Sequence, residues 1–393
     1  MSPIEHISQD INKLRAIRRD LHAHPELGFA EHRTARIVAQ ELSNLNIPYY
    51  SGIGGTGIVG VIEGKSSDSG RSVGLRADMD ALPMQELSEV GHRSRHDGHM
   101  HACGHDGHVT MLLAAANYLG RTRDFDGTVY LIFQPGEEGC GGGAAMIRDG
   151  LFDRFSIDRI FALHNWPSLP VGTVSISNGP AMAAADRIRI CIRGRGGHGG
   201  VAPHRTVDPI LVAGHLITAV HSIVSRNIDP LESAAISLCA IAGGDLDGGF
   251  AVIPEEVVVV GTARSLRREV RDMLQQRLQD VVYNVAATFG ATSTIEFESV
   301  FPATINWSDE AAFASATAAE LLGPGSVVSD PRPSLGGEDF AFMLERRPGA
   351  YIHLGSGGDF GLHNPRFDFN DHVIPLGGAL LARLAERALQ GQS

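Results

Sequence analysis

Two adjacent carboxylates close an apolar run in the stretch Thr128-Val-Tyr-Leu-Ile-Phe-Gln-Pro-Gly-Glu137-Glu138-Gly-Cys-Gly-Gly-Gly143. Val129 to Phe133 is β-rich and bounded by turn residues, so it reads as a buried strand. Neighbouring side chains of an extended chain point to opposite sides. One carboxylate can then hold a metal while the other faces water or substrate, the ligand-plus-base pairing of a metal-assisted hydrolase. Solvated acidic pairs are common, so this reading needs further residues. The densest cluster is Met100-His-Ala-Cys103-Gly-His105-Asp-Gly-His108, within a stretch carrying six histidines between His92 and His108. Cys103 and His105 are two apart, and an extended backbone would turn both to one side, where thiolate and imidazole suit a borderline ion such as zinc. A His-rich surface loop is the plain alternative, and Cys103 activated by His105 as a nucleophile is another; the Glu-Glu pair favours metal chemistry. His164 ends the apolar run Ile160-Phe-Ala-Leu163, at the strand edge where open α/β sheets place ligands. His363 lies in the turn-rich Gly361-Leu-His-Asn-Pro365, a loop type that suits functional residues. Each of these two histidines is ambiguous alone.

Elements to position these residues can be read from periodicity. Ile4, Ile7, Ile11, Leu14, Ile17 and Leu21 predict one amphipathic helix ending near His24-Pro25. A second helix is expected over 31–45, strands over 57–62 and 72–79, a helix over 107–119, and strands over 128–134, 159–163 and 172–177. This alternation predicts an α/β domain with a mostly parallel sheet. After Asn178-Gly-Pro180 the pattern changes. Ile188, Ile190 and Ile192 alternate with arginines as a half-buried strand. A helix over 207–226, strands near 233–242 and 256–263, a helix near 267–288 and a strand near 292–300 complete a β-α-β-β-α-β unit, the ferredoxin-like arrangement. Such a sheet has one face against helices and one free, a candidate subunit interface. From about Phe301 the chain returns to the first domain, with helices over 309–322, 338–344 and 376–389 and a strand over 350–354. The expected organisation is a catalytic domain in two parts, 1–183 and 301–393, with an inserted domain at 184–300 between hinges near 180–184 and 299–303.

The 393 residues suffice for two domains, and 43% hydrophobic with 20% charged residues describes an ordinary globular chain. A net charge of −12 without a basic cluster argues against nucleic acid or an anionic membrane as partner. No apolar stretch is expected to reach the ~18–20 residues of a membrane span. The N-terminus lacks the apolar core of a signal peptide, making a cytoplasmic location the expectation. Cys103, Cys140, Cys191 and Cys239 form no CxxC pair. Cys191 and Cys239 lie in apolar strand-like runs and read as inert core thiols.

Together these segments resemble the M20 metallopeptidase/amidohydrolase family, in the branch of hippurate hydrolases, N-acyl-amino-acid amidohydrolases and auxin-conjugate hydrolases. The carriers are Arg18-Arg-Asp-Leu-His-Ala-His-Pro-Glu-Leu27, Arg76-Ala-Asp-Met-Asp-Ala-Leu-Pro83, the run 101–108, Gln134-Pro-Gly-Glu-Glu-Gly139, His164-Asn-Trp-Pro167, Gly196-Gly-His-Gly199, Gly337-Glu-Asp-Phe340 and Leu362-His-Asn-Pro365, in family order over nearly the whole chain. The resemblance implies a metal-dependent exopeptidase-like catalytic domain with an inserted lid/dimerisation domain. It implies Cys103, His105, Glu138, His164 and His363 as ligands of two divalent ions per subunit (Zn, Mn, Ni or Co), and Glu137 as general base. It further implies His198 as an oxyanion donor reaching a partner subunit's site, in a homodimer or a tetramer. Asp78 and Asp106 are candidates to orient ligand histidines, and Glu338 and Asp339 to do the same or to cap a helix at Phe340. The implied reaction is hydrolysis of N-acyl or N-aroyl amino acids; a dipeptidase or aminoacylase of the same mechanism, or a non-catalytic metal-binding homologue, is the alternative. Two positions depart from the pattern. Gly136 replaces an alanine. Ala251, in Ala251-Val-Ile-Pro254, replaces an asparagine that binds the substrate carboxylate, and its side chain has no donor; Arg205 is a candidate substitute.

Overall fold

In the computed structural model residues 1–390 are described, and they form two compact units. Of the described residues, one comprises Met1–Ala181, Thr304–Arg332 and 338–390; the other comprises Met182–Ala303 and Pro333–Gly337.

The first unit is built on a seven-stranded sheet in the order Tyr49–Ile53, Gly57–Glu63, Thr128–Gln134, Ser72–Asp78, Arg159–Trp166, Gly349–Gly355, Val174–Ser175. The four central strands run parallel, while both edges pair antiparallel, so the sheet is mixed rather than mostly parallel. Every side chain of Ser72–Asp78 and Gly349–Gly355 is buried, as expected of strands covered on both faces. The four parallel strands share one carboxyl edge, which carries Asp78, Gln134, His164 and the segments that follow them.

The helix His105–Thr122 packs over this sheet and against the helices Ile11–Ala23 and Ile374–Leu389. Its Ala114-Ala-Ala116 run favours helix and allows close approach. The single N-terminal helix expected from periodicity is two, Pro3–Ser8 and Ile11–Ala23. At the break, the Asp10 carboxylate accepts from Asn117 Nδ2 at 2.8 Å, a bond to the His105–Thr122 helix that hydrophobic spacing does not reveal. The edge strand Tyr49–Ile53 also lacked a sequence signal: its first four residues are exposed.

The second unit follows the order strand Ala184–Arg193, helix Pro209–Asn227, strands Ala234–Ala242 and Glu256–Ser265, helix Arg268–Thr288, strand Thr292–Phe301. Its sheet is antiparallel, in the order Ala234–Ala242, Glu256–Ser265, Ala184–Arg193, Thr292–Phe301. Ile188, Ile190 and Ile192 are buried with Val212, Leu216, Val220, Leu274, Leu278 and Val282 from the two helices. Two expectations fail here. Cys191 is only half-buried and Cys239 is exposed, because Cys191 alternates onto the face opposite the isoleucines and Cys239 lies on an edge strand. The helix Pro209–Asn227 is long and apolar enough, by length and composition, to cross a membrane. Its Val212, Ala213, Leu216, Val220 and Ile223 are buried within the unit's own core.

Candidate metal centre

The turn after Thr128–Gln134 carries Glu137 and Glu138, and buried carboxylates from three other segments hold its backbone. Glu31 Oε1 accepts the Gly136 N–H at 2.8 Å, and Asp80 accepts those of Glu137 and Glu138 at 3.0 and 2.9 Å. Asp339 accepts the Gly143 N–H at 2.7 Å and Gln134 Nε2 at 2.6 Å. Gly136 has φ +56°, a left-handed conformation that favours glycine, and a Cβ there would sit 3.2 Å from Cys140 Cβ and 3.3 Å from the Phe29 ring. Sequence reasoning missed Glu31 and Asp80 as clamps; neither stands near the Glu pair in the chain.

Cys103 and His105 are not joined by extended backbone, as their spacing had suggested. Gly104 adopts φ +91° and His105 opens the helix, so a sharp turn separates the two side chains, each of which lies near Glu138. A Cβ on Gly104 would lie 2.3 Å from Asn165 Oδ1. His105 Nδ1 donates to the Asp80 carbonyl at 2.8 Å, while buried Nε2 has no hydrogen-bond partner. His164 Nδ1 donates to the Asn165 carbonyl at 2.8 Å, and its Nε2 lies 3.4 Å from Cys103 Sγ. The Nδ1 bonds aim both Nε2 atoms at the cluster, and in His164, whose neutral form burial favours, that nitrogen carries a lone pair.

The structure brings together all five residues expected as ligands. Ligand atoms of Cys103, Glu138 and His363 lie within 4.8 Å of one another, as do those of His105, Glu137 and Glu138. Glu138 Oε1 is buried without a hydrogen-bond partner, 3.3 Å from His363 Nε2 and 3.9 Å from His105 Nε2. His363 is the outlier, with a 54% exposed side chain and φ +61°, a strained conformation for a non-glycine residue. A further buried group joins Asp78, His105, His108 and His164. His108 is engaged by Asp78 Oδ1 and Asn165 Oδ1, each at 2.6 Å, so it reads as a support, a role that its place in the histidine-rich run does not signal. Asp106, expected to orient a ligand histidine, meets His22 at 2.9 Å and Arg18 at 3.5 Å instead. One residue further along a helix rotates the side chain by about 100°.

The electrostatics suit cations. Burial pulls His105 down, yet Asp78, Asp80 and Glu138 together push it up to about 10. Burial, then Glu138 and Glu137, pushes the Cys103 thiol well above its usual range, while burial and His108 keep His164 neutral. Burial and the carboxylates of Glu338, Glu138 and Asp339 push Glu137 well above the usual carboxylate range. Ligand atoms of Glu137, Glu338 and Asp339 lie within 4.8 Å of one another. Arg76, buried, binds Asp78, Glu338 and Asp339 at 2.7, 2.9 and 3.1 Å. Glu338 also accepts the Phe340 N–H at 2.8 Å, but the helix begins only at Ala341 and its N-cap, Phe340, has no side-chain cap, so the expected cap is not formed. Soft and borderline donors, orphaned buried atoms and excess negative charge together fit divalent ions.

His198 belongs to the second unit, where Gly197–His198 pairs with Val252–Ile253 and Gly199 N–H donates to the Ala251 carbonyl at 2.8 Å. The ring is exposed. Its Nδ1 accepts from the Gly200 and Val201 N–H groups at 3.1 and 3.2 Å, which leaves Nε2–H as a donor.

The α/β sheet thus carries at its carboxyl edge a Cys/His/Glu cluster able to hold metal, beside the buried Glu137 carboxylate. The chain belongs to Peptidase family M20/M25/M40, whose profile matches residues 74–387. It is 41% identical over 374 residues to a hippurate hydrolase of Campylobacter jejuni, covering 95% of this chain and 96% of that one. It is 39% identical over 378 residues to an N-acetyl-L-cysteine deacetylase of Bacillus subtilis, covering 96% and 88%. Among solved structures, a dinuclear metal-binding M20 peptidase of Bacillus subtilis superposes with TM-score 0.84 at 32% identity, covering 97% of this chain and 99% of that one. The chain is a metal-dependent amidohydrolase that uses divalent metal.

Proposed function

We propose that this protein hydrolyses N-acyl or N-aroyl amino acids of the hippurate type to a carboxylic acid and a free amino acid. The observation that carries the reading is the convergence of Cys103, His105, Glu138, His164 and His363 beside Glu137, a carboxylate only 6% exposed. The five residues would hold two divalent ions, Zn, Mn, Ni or Co, with Glu138 and Cys103 central to the set. When bound, such ions act as Lewis acids that polarise the amide carbonyl and acidify a water. Glu137 takes a proton from the attacking water as its oxygen bonds to the carbonyl carbon. It returns that proton to the departing nitrogen as the C–N bond breaks. A raised carboxyl pKa is the direction needed by a group that must both accept and give back a proton. His198 Nε2–H would donate to the developing oxyanion, in the site of a partner subunit of a dimer formed through the inserted unit.

A hydrolysis screen of N-acetyl, N-benzoyl and dipeptide substrates with Mn²⁺, Zn²⁺ and Ni²⁺ tests the substrate class. Cleavage of free-carboxylate N-acyl amino acids is the expected result; preference for esters or amides lacking that carboxylate would overturn it and would follow from Ala251. E137Q is expected to retain metal yet turn over at least ~10²-fold more slowly. Near-parent turnover in E137Q would remove Glu137 from the reaction.

A further inference from the structure

Arg18, on the helix Ile11–Ala23, is 0% exposed and touches none of the five candidate ligands. Its Nε donates to Asp371 Oδ1 at 2.7 Å and its Nη1 to Asp368 Oδ1 at 3.0 Å. Nη1 also lies 3.5 Å from Asp106 Oδ2, and Nη2 lies 3.1 Å from His92 Nε2. One turn along the same helix, His22 Nδ1 meets Asp106 Oδ2 at 2.9 Å. Asp106 directly follows His105, whereas Asp368 lies on the loop that follows His363 and Asp371 opens the short 3-10 helix Asp371–Val373 at that loop's end.

One buried guanidinium therefore joins two distant segments that supply ligands. The junction is reinforced next door. Phe367 and Phe369 are buried, and the Phe369 ring lies so close to Gly107 that a Cβ there would come within 2.2 Å of it. His363 depends on this anchoring more than its partners do. It is the exposed member of the set, its backbone is left-handed, and its N–H is held by the Ala102 carbonyl at 2.9 Å. A non-glycine residue keeps such a conformation only where its surroundings impose it. The Ala102 bond pins His363 itself; Arg18 pins the far end of its loop.

We propose that Arg18 is a positioning residue for the metal centre: it locks the His363 loop to the Cys103–His105 segment, so that ligands from segments far apart in the chain meet. This rests on the ligand set proposed above. The planar guanidinium suits the task because it presents several donors in a rigid fork to carboxylates on different segments. Lysine offers a single point charge and would release at least one of them.

The test is metal binding, not turnover. Metal-free parent, R18K, D368N and the control R159K are titrated with Mn²⁺ and with Zn²⁺ by calorimetry, and thermal unfolding of each metal-free protein is recorded. Arg159 pairs with Glu310, outside the candidate centre. Loss of a group that supports metal ligands typically weakens binding about 10–100-fold. R18K and D368N are expected to show that loss, or to drop one equivalent of metal, while R159K binds like the parent whatever its melting temperature. Should R18K not fold, D368N decides, since its carboxylate is 32% exposed and its removal is the milder change. Parent-like affinity and stoichiometry in D368N, or equal weakening in R159K, would overturn the positioning role alone. A parent protein that binds neither ion would overturn the metal reading with it.

Discussion

Gly104 shows how far single residues govern this centre. It sits in a left-handed turn between Cys103 and His105, with Asn165 Oδ1 occupying the space a Cβ would need. G104A is expected to destabilise the fold by about 1–3 kcal/mol from backbone strain alone, before the displacement of Asn165 is counted. Asn165 holds His108, which in turn is bonded to Asp78, so the variant should also lose metal affinity. Urea unfolding and metal titration of G104A check both effects; parent-like values in each would show that the turn is less constrained than its geometry states. The same reasoning separates the two glutamates. Glu138 turns a partnerless oxygen toward histidines, whereas Glu137 Oε1 faces the Asp339 N–H at 3.4 Å among other carboxylates.

At the scale of elements, the helix Ile11–Ala23 acts as a charged brace. His22 is buried between Asp106 and Glu86; burial alone would pull it down, but Asp106 and Glu86 outweigh it and push it up to about 9. A histidine raised above its unfolded value of about 6.5 contributes its full stabilisation below that pH, and loses it as pH climbs through the folded value. Replacing His22 should therefore cost on the order of 3 kcal/mol near pH 6, and the gap between parent and H22Q should narrow as pH rises toward 9. Denaturant unfolding of the metal-free proteins from pH 6 to pH 9 measures that gap, and a gap that widens with pH would contradict the ion pair. The turn after Thr128–Gln134 is a second such element, held open by Glu31, Asp80 and Asp339 rather than by its own residues.

At the scale of the molecule, the two units have separate cores. The core of the second unit draws only on residues between Ile188 and Phe297. A chain cut to 182–303 is expected to fold by itself with a cooperative thermal transition, and a broad, non-cooperative melt by circular dichroism would show that it needs the first unit. The first unit should depend on its ions instead. Chelation is expected to abolish hydrolysis, with Mn²⁺ or Zn²⁺ restoring it. Because ligands that bind only the folded state stabilise by mass action, re-adding metal at about a hundred times its dissociation constant should recover roughly 2.7 kcal/mol of stability. An enzyme indifferent to chelators would return attention to Cys103 as a nucleophile.

The sequence alone determined the chemistry on offer and most of the elements. Strand and helix periods repeat locally, so the central strands, the long helices and the β-α-β-β-α-β order of 184–301 were legible. Local residue types singled out the Glu137-Glu138 pair and the Cys103–His105 run as candidates, whereas His164, His363 and the division of roles came only from the family resemblance. Tertiary structure decided what each residue faces. It showed that Gly104 bends the chain between Cys103 and His105, and that Asp106 turns to Arg18 and His22. It showed that Glu31 and Asp80 hold a turn far from them in sequence, and that Cys191 and Cys239 lie away from the core. Those outcomes depend on rotation around a helix, the face of a strand and contacts between distant segments. No local pattern of residue types carries that information.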